Sequence, residues 1–376
     1  MSIKELIIQS EKIISGRMRL DWFSRFYGVP VYKQYRDKIS EEEVRLIQDE
    51  LLNDGIFSEA EMSAKKYYLR LLQGRRIERK NKYFLHIFLF LLTIITTSMT
   101  GALLRGKDPF VSWENFSYGF AYSFALLAIL FAHEMGHYLY SRYYKVDVTL
   151  PYFIPFFIPG FHPGTLGAFI KMRSPIPDKK ALFDIGIAGP LAGFILSVIF
   201  LIAGFSMLPD EAGIYNYIAQ IHPLDSPDGV ALTLGNTLLY DFIGSFFGGQ
   251  RLPMSEMYHF PFIFAGWFGL LVTAINLMPI GQLDGGHITF AMFGHRARFV
   301  AMGAFVLLIL LNVYLISNYN SYIWVLWSVL ILVFVRFKHP PTLNDRAGLG
   351  SARIVLGWIS YVIFIACFSP MPIYLS

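Results

Sequence analysis

The chain has little charge: Asp, Glu, Lys and Arg make up 16% of its 376 residues, where an ordinary soluble domain carries roughly 25%. That deficit argues against a water-soluble enzyme. With 55% hydrophobic and 17% aromatic residues, apolar side chains must face lipid as well as a core. Cysteine is almost absent. A lone Cys367 excludes an internal disulfide and a cysteine-rich metal cluster, and leaves the redox compartment open. The net charge of +5 does not call for nucleic acid, because the basic residues cluster beside apolar segments, where the positive-inside rule accounts for them. Residues 1–80 also lack the basic, apolar and small-residue pattern of a cleavable signal, and are too acidic for a transit peptide. A bacterial cytoplasmic membrane is the compartment these absences favour.

What is present is a series of apolar stretches near the length of about 20 helical residues that crosses a hydrocarbon core. They lie at about 83–104, 118–140, 184–207, 260–279, 299–316, 322–335 and 354–368. The expected fold is an all-α polytopic membrane protein with about six to seven transmembrane helices, occupying residues 81–376. Arg75, Arg76, Arg79, Lys80 and Lys82 precede the first stretch and place the N-terminus in the cytoplasm. Arg142 and Lys145 after the second, Lys171, Arg173, Lys179 and Lys180 before the third, Arg296 and Arg298 before the fifth, and Arg336 and Lys338 after the sixth fall on that same side. Arg105 and Lys107 fall on the other. An odd count leaves the C-terminus outside.

Residues 1–80 read as a cytoplasmic helical module. Ser40 with Glu43, and Ser58 with Glu61, have capping-box spacing. Val44, Ile47 and Leu51 would line one helix, with Gly55 after its end; Tyr67, Leu69 and Leu72 would make a second helix partly apolar. Residues 150–174, rich in proline yet apolar, are expected to be re-entrant or interfacial, because backbone without helical bonds is tolerated at membrane depth only inside protein or beside a wet cavity. The run Leu166 to Ile170 suits a strand. Residues 232–247, in a stretch with Arg251 as its one basic residue, read as an interfacial helix on the outer side.

The chemistry is concentrated in HEMGH, residues 133–137. His133 and His137 are four apart, so on a helix their imidazoles share a face and can share one cation. Glu134 beside them is placed to take a proton from water and return it to a leaving amine. Two histidines and a glutamate inside an apolar span are costly unless they face a polar interior. A catalytic zinc needs a third protein ligand. Asp284 is the candidate: it lies at the cytoplasmic end of the fourth apolar stretch, the side on which HEMGH also lies, and Gly281, Gly285 and Gly286 around it allow a sharp turn. Asn276 could donate an amide hydrogen to a developing oxyanion, or bond between helices.

HEMGH in one span and NLMPIGQLDGG in a later one resemble the paired HExxH and NxxPxxxxDG motifs of the site-2 proteases, the intramembrane zinc metalloproteases. PFFIPG, GTLGAFIKMRSP, DIGIAGPLAG and HPP are similar to the branch with plant chloroplast and related bacterial members, so the resemblance covers residues 118–345. It implies one Zn2+ on His133, His137 and Asp284, Glu134 as general base, and Asn276 as a transition-state or substrate contact. It also implies that a strand of Gly164, Thr165, Leu166, Gly167, Ala168, Phe169 and Ile170 pairs with an unwound substrate. Physics supports that last element independently, since a helical peptide bond is shielded by its own turns and an edge strand satisfies the backbone groups freed on unwinding. The implied reaction is regulated intramembrane proteolysis of transmembrane protein substrates in a lipid bilayer. The outer stretch is too short for an inserted PDZ domain, and oligomeric state is not fixed.

Two other readings compete. Tyr240 and Asp241 form the YD pair of intramembrane aspartyl proteases, but the partner GxGD is replaced by GQLD ending at Asp284. A metal transporter could use His86, His162 and His287 as further steps of an ion path, but has no need of a glutamate beside a ligand histidine.

Overall fold

The computed structural model describes residues 3–14, 16–24, 29–34, 39–63, 66–72, 83–158, 162–174, 176–222, 232–335, 339, 342, 345 and 348–375. The basic run from Arg75 to Lys82, and Arg336 and Lys338, lie outside them.

The N-terminal module comprises α1 (Ile3–Ile14), β1 (Met18–Ser24), β2 (Val29–Gln34), α2 (Glu41–Asn53), β3 (Phe57–Ser63) and β4 (Lys66–Leu72). Its strands form one antiparallel sheet in the order β1-β2-β4-β3. Helix α2 begins at the expected capping box: the Glu43 amide donates to Ser40 Oγ at 3.2 Å and the Ser40 amide to the Glu43 carboxylate at 3.0 Å. Val44, Ile47 and Leu51 are its buried face. The helical reading of residues 58–72 is corrected, because that segment is the β3–β4 hairpin. Leu69 and Leu71 are both buried, a period of two that puts one face of the strand on the core formed with Leu6, Ile14, Ile47 and Leu51. The module is therefore mixed α/β, and the chain as a whole is not all-α.

The membrane domain follows as α3 (Tyr83–Leu103), α4 (Trp113–Ser117), α5 (Phe120–Tyr143), β5 (Tyr152–Pro155), β6 (Thr165–Phe169), α6 (Lys179–Ser206), α7 (Glu211–Ala219), β7 (Leu232–Leu234), α8 (Leu238–Phe247), α9 (Pro261–Leu277), α10 (Asp284–Phe293), α11 (Ala297–Tyr319), α12 (Ile323–Leu330), α13 (Ser351–Cys367) and β8 (Ile373–Leu375). A helix occupies each of the seven apolar stretches. Among the described residues, four continuous segments are long and apolar enough to cross a bilayer: Tyr83–Leu103, Trp113–Tyr143, Lys179–Ser206 and Asp284–Tyr319. Helices α9 and α13 and the segment Ile323–Val333 are apolar but shorter.

Phe84, Ile87, Phe88 and Leu91 on α3, Leu307, Leu310 and Val313 on α11, and Val355, Trp358 and Val362 on α13 all point outward. Such bands of exposed apolar side chains are a lipid-facing surface. Inside it, α5, α6 and α9 pack around Leu126, Leu130, Leu201, Phe264, Trp267 and Leu270. Residues 232–247 are only partly the expected helix. Leu232–Leu234 pairs with Ile373–Leu375, and α8 starts after Thr237, whose hydroxyl accepts from the Tyr240 amide at 3.1 Å.

Between α5 and α6 the proline-rich segment forms an antiparallel hairpin, with Tyr152 opposite Phe169 and Phe153 opposite Ala168. The turn is seated on α3: a Cβ on Gly164 would come within 2.7 Å of Thr97 Cα. Tyr122 of α5 also holds it, donating to the Pro163 carbonyl at 3.0 Å. Strand β6 is paired through β5, with its other edge unpaired among the described residues.

Candidate metal centre

Helix α5 carries His133, Glu134 and His137, all buried. The two imidazoles face α6 where that helix has only hydrogen for a side chain. A Cβ on Gly189 would come within 2.1 Å of His137 Nε2, and one on Gly193 within 3.3 Å of His133 Nδ1. Gly136 has the reciprocal role on α5, its missing Cβ standing 2.4 Å from the Ala188 carbonyl oxygen. The glycines thus bring the two backbones together around the histidines.

Asp284 arrives from a third direction. Helix α9 ends at Leu277, the chain turns through Met278–Leu283, and Asp284 opens α10. The turn uses a left-handed Gly281 with φ of 56°. A Cβ on Gly285 would stand 2.1 Å from the Leu277 carbonyl oxygen, so the new helix starts against the end of the old one. The carboxylate then reaches both imidazoles: Asp284 Oδ2 is 3.3 Å from His133 Nε2 and 3.2 Å from His137 Nε2, and the two Nε2 atoms are 3.2 Å apart. His137 Nδ1 donates to the Ile185 carbonyl at 2.7 Å, which leaves the Nε2 lone pair directed at this convergence.

Two imidazole nitrogens and one carboxylate oxygen are a donor set that suits zinc, and their separations suit a single small cation between them. Glu134 is 6% exposed and stands outside the three-atom convergence, with the Ile170 amide at the end of β6 approaching its carboxylate. Asn276, near the end of α9, brings its amide nitrogen to 3.4 Å from His133 Nε2. Every residue singled out from HEMGH and NLMPIGQLDGG therefore meets in one place. The strand residues lie beside it through Ile170.

None of the other sequence candidates is a donor in this group. His86 Nδ1 donates to the Pro151 carbonyl at 3.0 Å and its ring packs on Tyr152. His162 Nδ1 accepts from the Gly164 amide at 3.0 Å and lies 3.3 Å from Thr100 Oγ1. Both hold the hairpin to α3 and neither extends an ion path from the centre. His287, one turn beyond Asp284, pairs with His339. Tyr240 and Asp241 sit on α8, where Asp241 accepts from Asn236 at 3.3 Å.

Sequence reasoning missed one supporting contact. Arg353 of α13 grips Asp184 of α6 with two bonds of 2.8 Å, and Tyr144 at the end of α5 donates to the same carboxylate. Burial first, and then the Asp184 carboxylate, push the Tyr144 phenol up to about 12, so it stays a donor. Asp184 within DIGIAG was the available signal, but its arginine lies 169 residues away.

A family model described as peptidase family M50 matches residues 121–316. The chain is 32% identical over 191 residues to the probable zinc metalloprotease EGY1, chloroplastic, of Oryza sativa subsp. japonica, covering 50% of this chain and 31% of that protein. It is 30% identical over 217 residues to the protein of the same name from Arabidopsis thaliana, covering 55% and 36%. To the probable zinc metalloprotease EGY2, chloroplastic, of Arabidopsis thaliana it is 28% identical over 211 residues, covering 56% and 34%. The matches thus span about a third of the length of these relatives. No solved structure matches.

Proposed function

The chain belongs to peptidase family M50, and from that membership we propose that it is an intramembrane zinc metalloprotease, hydrolysing peptide bonds in or near transmembrane helices of membrane-protein substrates. The observation that carries this reading is the meeting of His133, His137 and Asp284 within 3.3 Å of one another, with Glu134 beside them but not among them. A metal carrier has no use for that fourth residue, whereas peptide hydrolysis needs a base.

His133, His137 and Asp284 are the proposed holders of one Zn2+, which when bound polarises the scissile carbonyl and acidifies water. Glu134 accepts the proton of the attacking water and delivers it to the leaving amine. Asn276 donates its amide hydrogen to the oxygen that gains charge. The open edge of β6, from Gly164 to Ile170, takes an unwound substrate segment as an added strand. Leu166, 62% exposed, and Phe169, 46% exposed, are available side chains on that strand. Its end beside Glu134 gives the substrate backbone a track toward the base.

All seven helical stretches are proposed to cross or enter the bilayer, with the module of residues 1–80 and both motifs on the cytoplasmic side and the C-terminus outside. Helix α9, at 17 residues, reaches about 25 Å, a few Å short of the hydrocarbon layer, and most of it is buried against neighbouring helices rather than facing lipid. The proposed membrane is a bacterial cytoplasmic one, while the named relatives are chloroplast proteins. Arg105, on the outer side in this orientation, donates to Tyr217 at 3.0 Å, which accounts for a basic residue there.

Zinc analysis tests the ligand set. The purified chain is expected to lose its catalytic zinc on His133→Ala with Asp284→Ala; undiminished zinc and cleavage would refute the assignment.

A further inference from the structure

A second group of the same chemistry lies elsewhere. His222 Nε2 is 3.0 Å from Glu256 Oε2 and 3.1 Å from His259 Nε2, and His259 Nε2 is 3.3 Å from the same Glu256 oxygen. We propose that His222, Glu256 and His259 form a second metal site, for a divalent first-row transition ion such as Zn2+, at the opposite end of the helical bundle from HEMGH.

Three lines of geometry carry this. Donors held at about 2.0–2.2 Å from one ion lie about 3.3–3.6 Å apart at a tetrahedral angle and about 2.8–3.1 Å apart at a right angle. The three observed separations, 3.0 to 3.3 Å, fall in that interval and match those of the first centre.

Next, His259 Nδ1 donates to the Leu104 carbonyl. In the neutral ring its Nε2 is then a lone pair, facing a carboxylate oxygen and another imidazole nitrogen. One proton on His222 Nε2 cannot lie along both of its short contacts, whereas one cation satisfies all three donors. A ring nitrogen committed to a backbone carbonyl is the usual support of a metal-binding histidine, and His137 has the same support from Ile185.

Finally, the site is built and reachable. The His259 side chain is 4% exposed and that of Glu256 15%, while that of His222 is 37% exposed. Of the three residues, His259 also lines a cavity of about 360 Å³, together with Arg105, Tyr217 and Phe260.

The placement suggests what the ion does. His222 follows α7, Glu256 precedes and His259 ends the single turn Met257–His259 that leads into α9, and Leu104 follows α3. The ion therefore ties α7 directly to α9, and α3 through the His259 bond. Helix α9 carries Asn276 toward its other end, 17 positions beyond His259, or about 25 Å at 1.5 Å per residue. The two metal groups are thus separate sites, and the second fixes the far end of the helix that positions Asn276.

Metal content of the full chain, purified in detergent, loaded with Zn2+ and desalted, tests the proposal. Wild type is expected to retain about two equivalents per chain. His222→Ala with Glu256→Gln should retain about one and still cleave, and His133→Ala with Asp284→Ala should also retain about one but not cleave. One equivalent in wild type, or two in the His222→Ala and Glu256→Gln chain, overturns the second site without touching the first. Should the His222→Ala and Glu256→Gln chain fail to fold, Zn2+ titrated into the His133→Ala and Asp284→Ala chain decides the matter. One bound equivalent with a raised Tm is expected, and no binding refutes it.

Discussion

Gly189 of α6 lies against the His137 imidazole so closely that a Cβ would stand 2.1 Å from Nε2. The glycine therefore shapes the proposed metal centre without being one of its ligands. Gly189→Ala must displace the ring or separate α5 from α6. Because His137 Nδ1 is also tied to Ile185 of α6, the displacement costs that bond too. Zinc affinity should fall by about 10–100-fold, the usual scale for losing a ligand's support. Gly193→Ala, whose added carbon meets His133 at 3.3 Å, should have a smaller effect. Equal zinc titrations for Gly189→Ala and wild type would contradict the packing argument.

Asn276 separates ligand holding from oxyanion donation. Its amide nitrogen is 3.4 Å from His133 Nε2, too long for a strong bond and outside the three-donor convergence. Asn276→Ala should keep zinc while kcat falls by about 100–1000-fold, as when one oxyanion donor is removed. Loss of zinc with activity would make Asn276 a support for His133 instead.

The β6 edge is tested by disrupting the strand at an exposed position. Leu166 is 62% exposed, so Leu166→Pro sacrifices little packing but alters the edge available for strand addition. Cleavage of a helical transmembrane substrate should drop by about 10-fold, with zinc unchanged, and a short unstructured peptide should be affected less. Equal losses on both substrates would argue against strand addition.

The Arg353–Asp184 pair predicts a stability effect without a chemical one. Both members are partly shielded, with side chains 32% and 15% exposed, and the contact is bidentate. Arg353→Ala should lower stability by about 1–3 kcal/mol, toward the lower figure given the arginine's exposure. Arg353→Lys should recover part of it, since an ammonium cannot reproduce the fork. A Tm series in detergent reads both.

The candidate metal centre was legible because its signals are local. HEMGH needs only the four-residue spacing of a helix to pair its imidazoles, and glycines around Asp284 announce a turn. The seven apolar stretches marked helices for a similar reason: length against lipid is a property of contiguous residues. The β3–β4 hairpin was misread because Ser58 and Glu61 imitate a helix cap, while the alternation of Leu69 and Leu71 is only a few residues long. The β7–β8 pairing joins Leu232 to Leu375, and nothing in either short run names the other. His222, Glu256 and His259 likewise come together only once α7 and the turn before α9 are folded.

Glu134→Gln tests the central claim most directly, because it changes one atom of the proposed base and leaves His133, His137 and Asp284 intact. The variant should bind zinc as wild type does, yet cleave a membrane-embedded substrate at least about 100-fold more slowly. Full zinc occupancy with cleavage at the wild-type rate would contradict the mechanism.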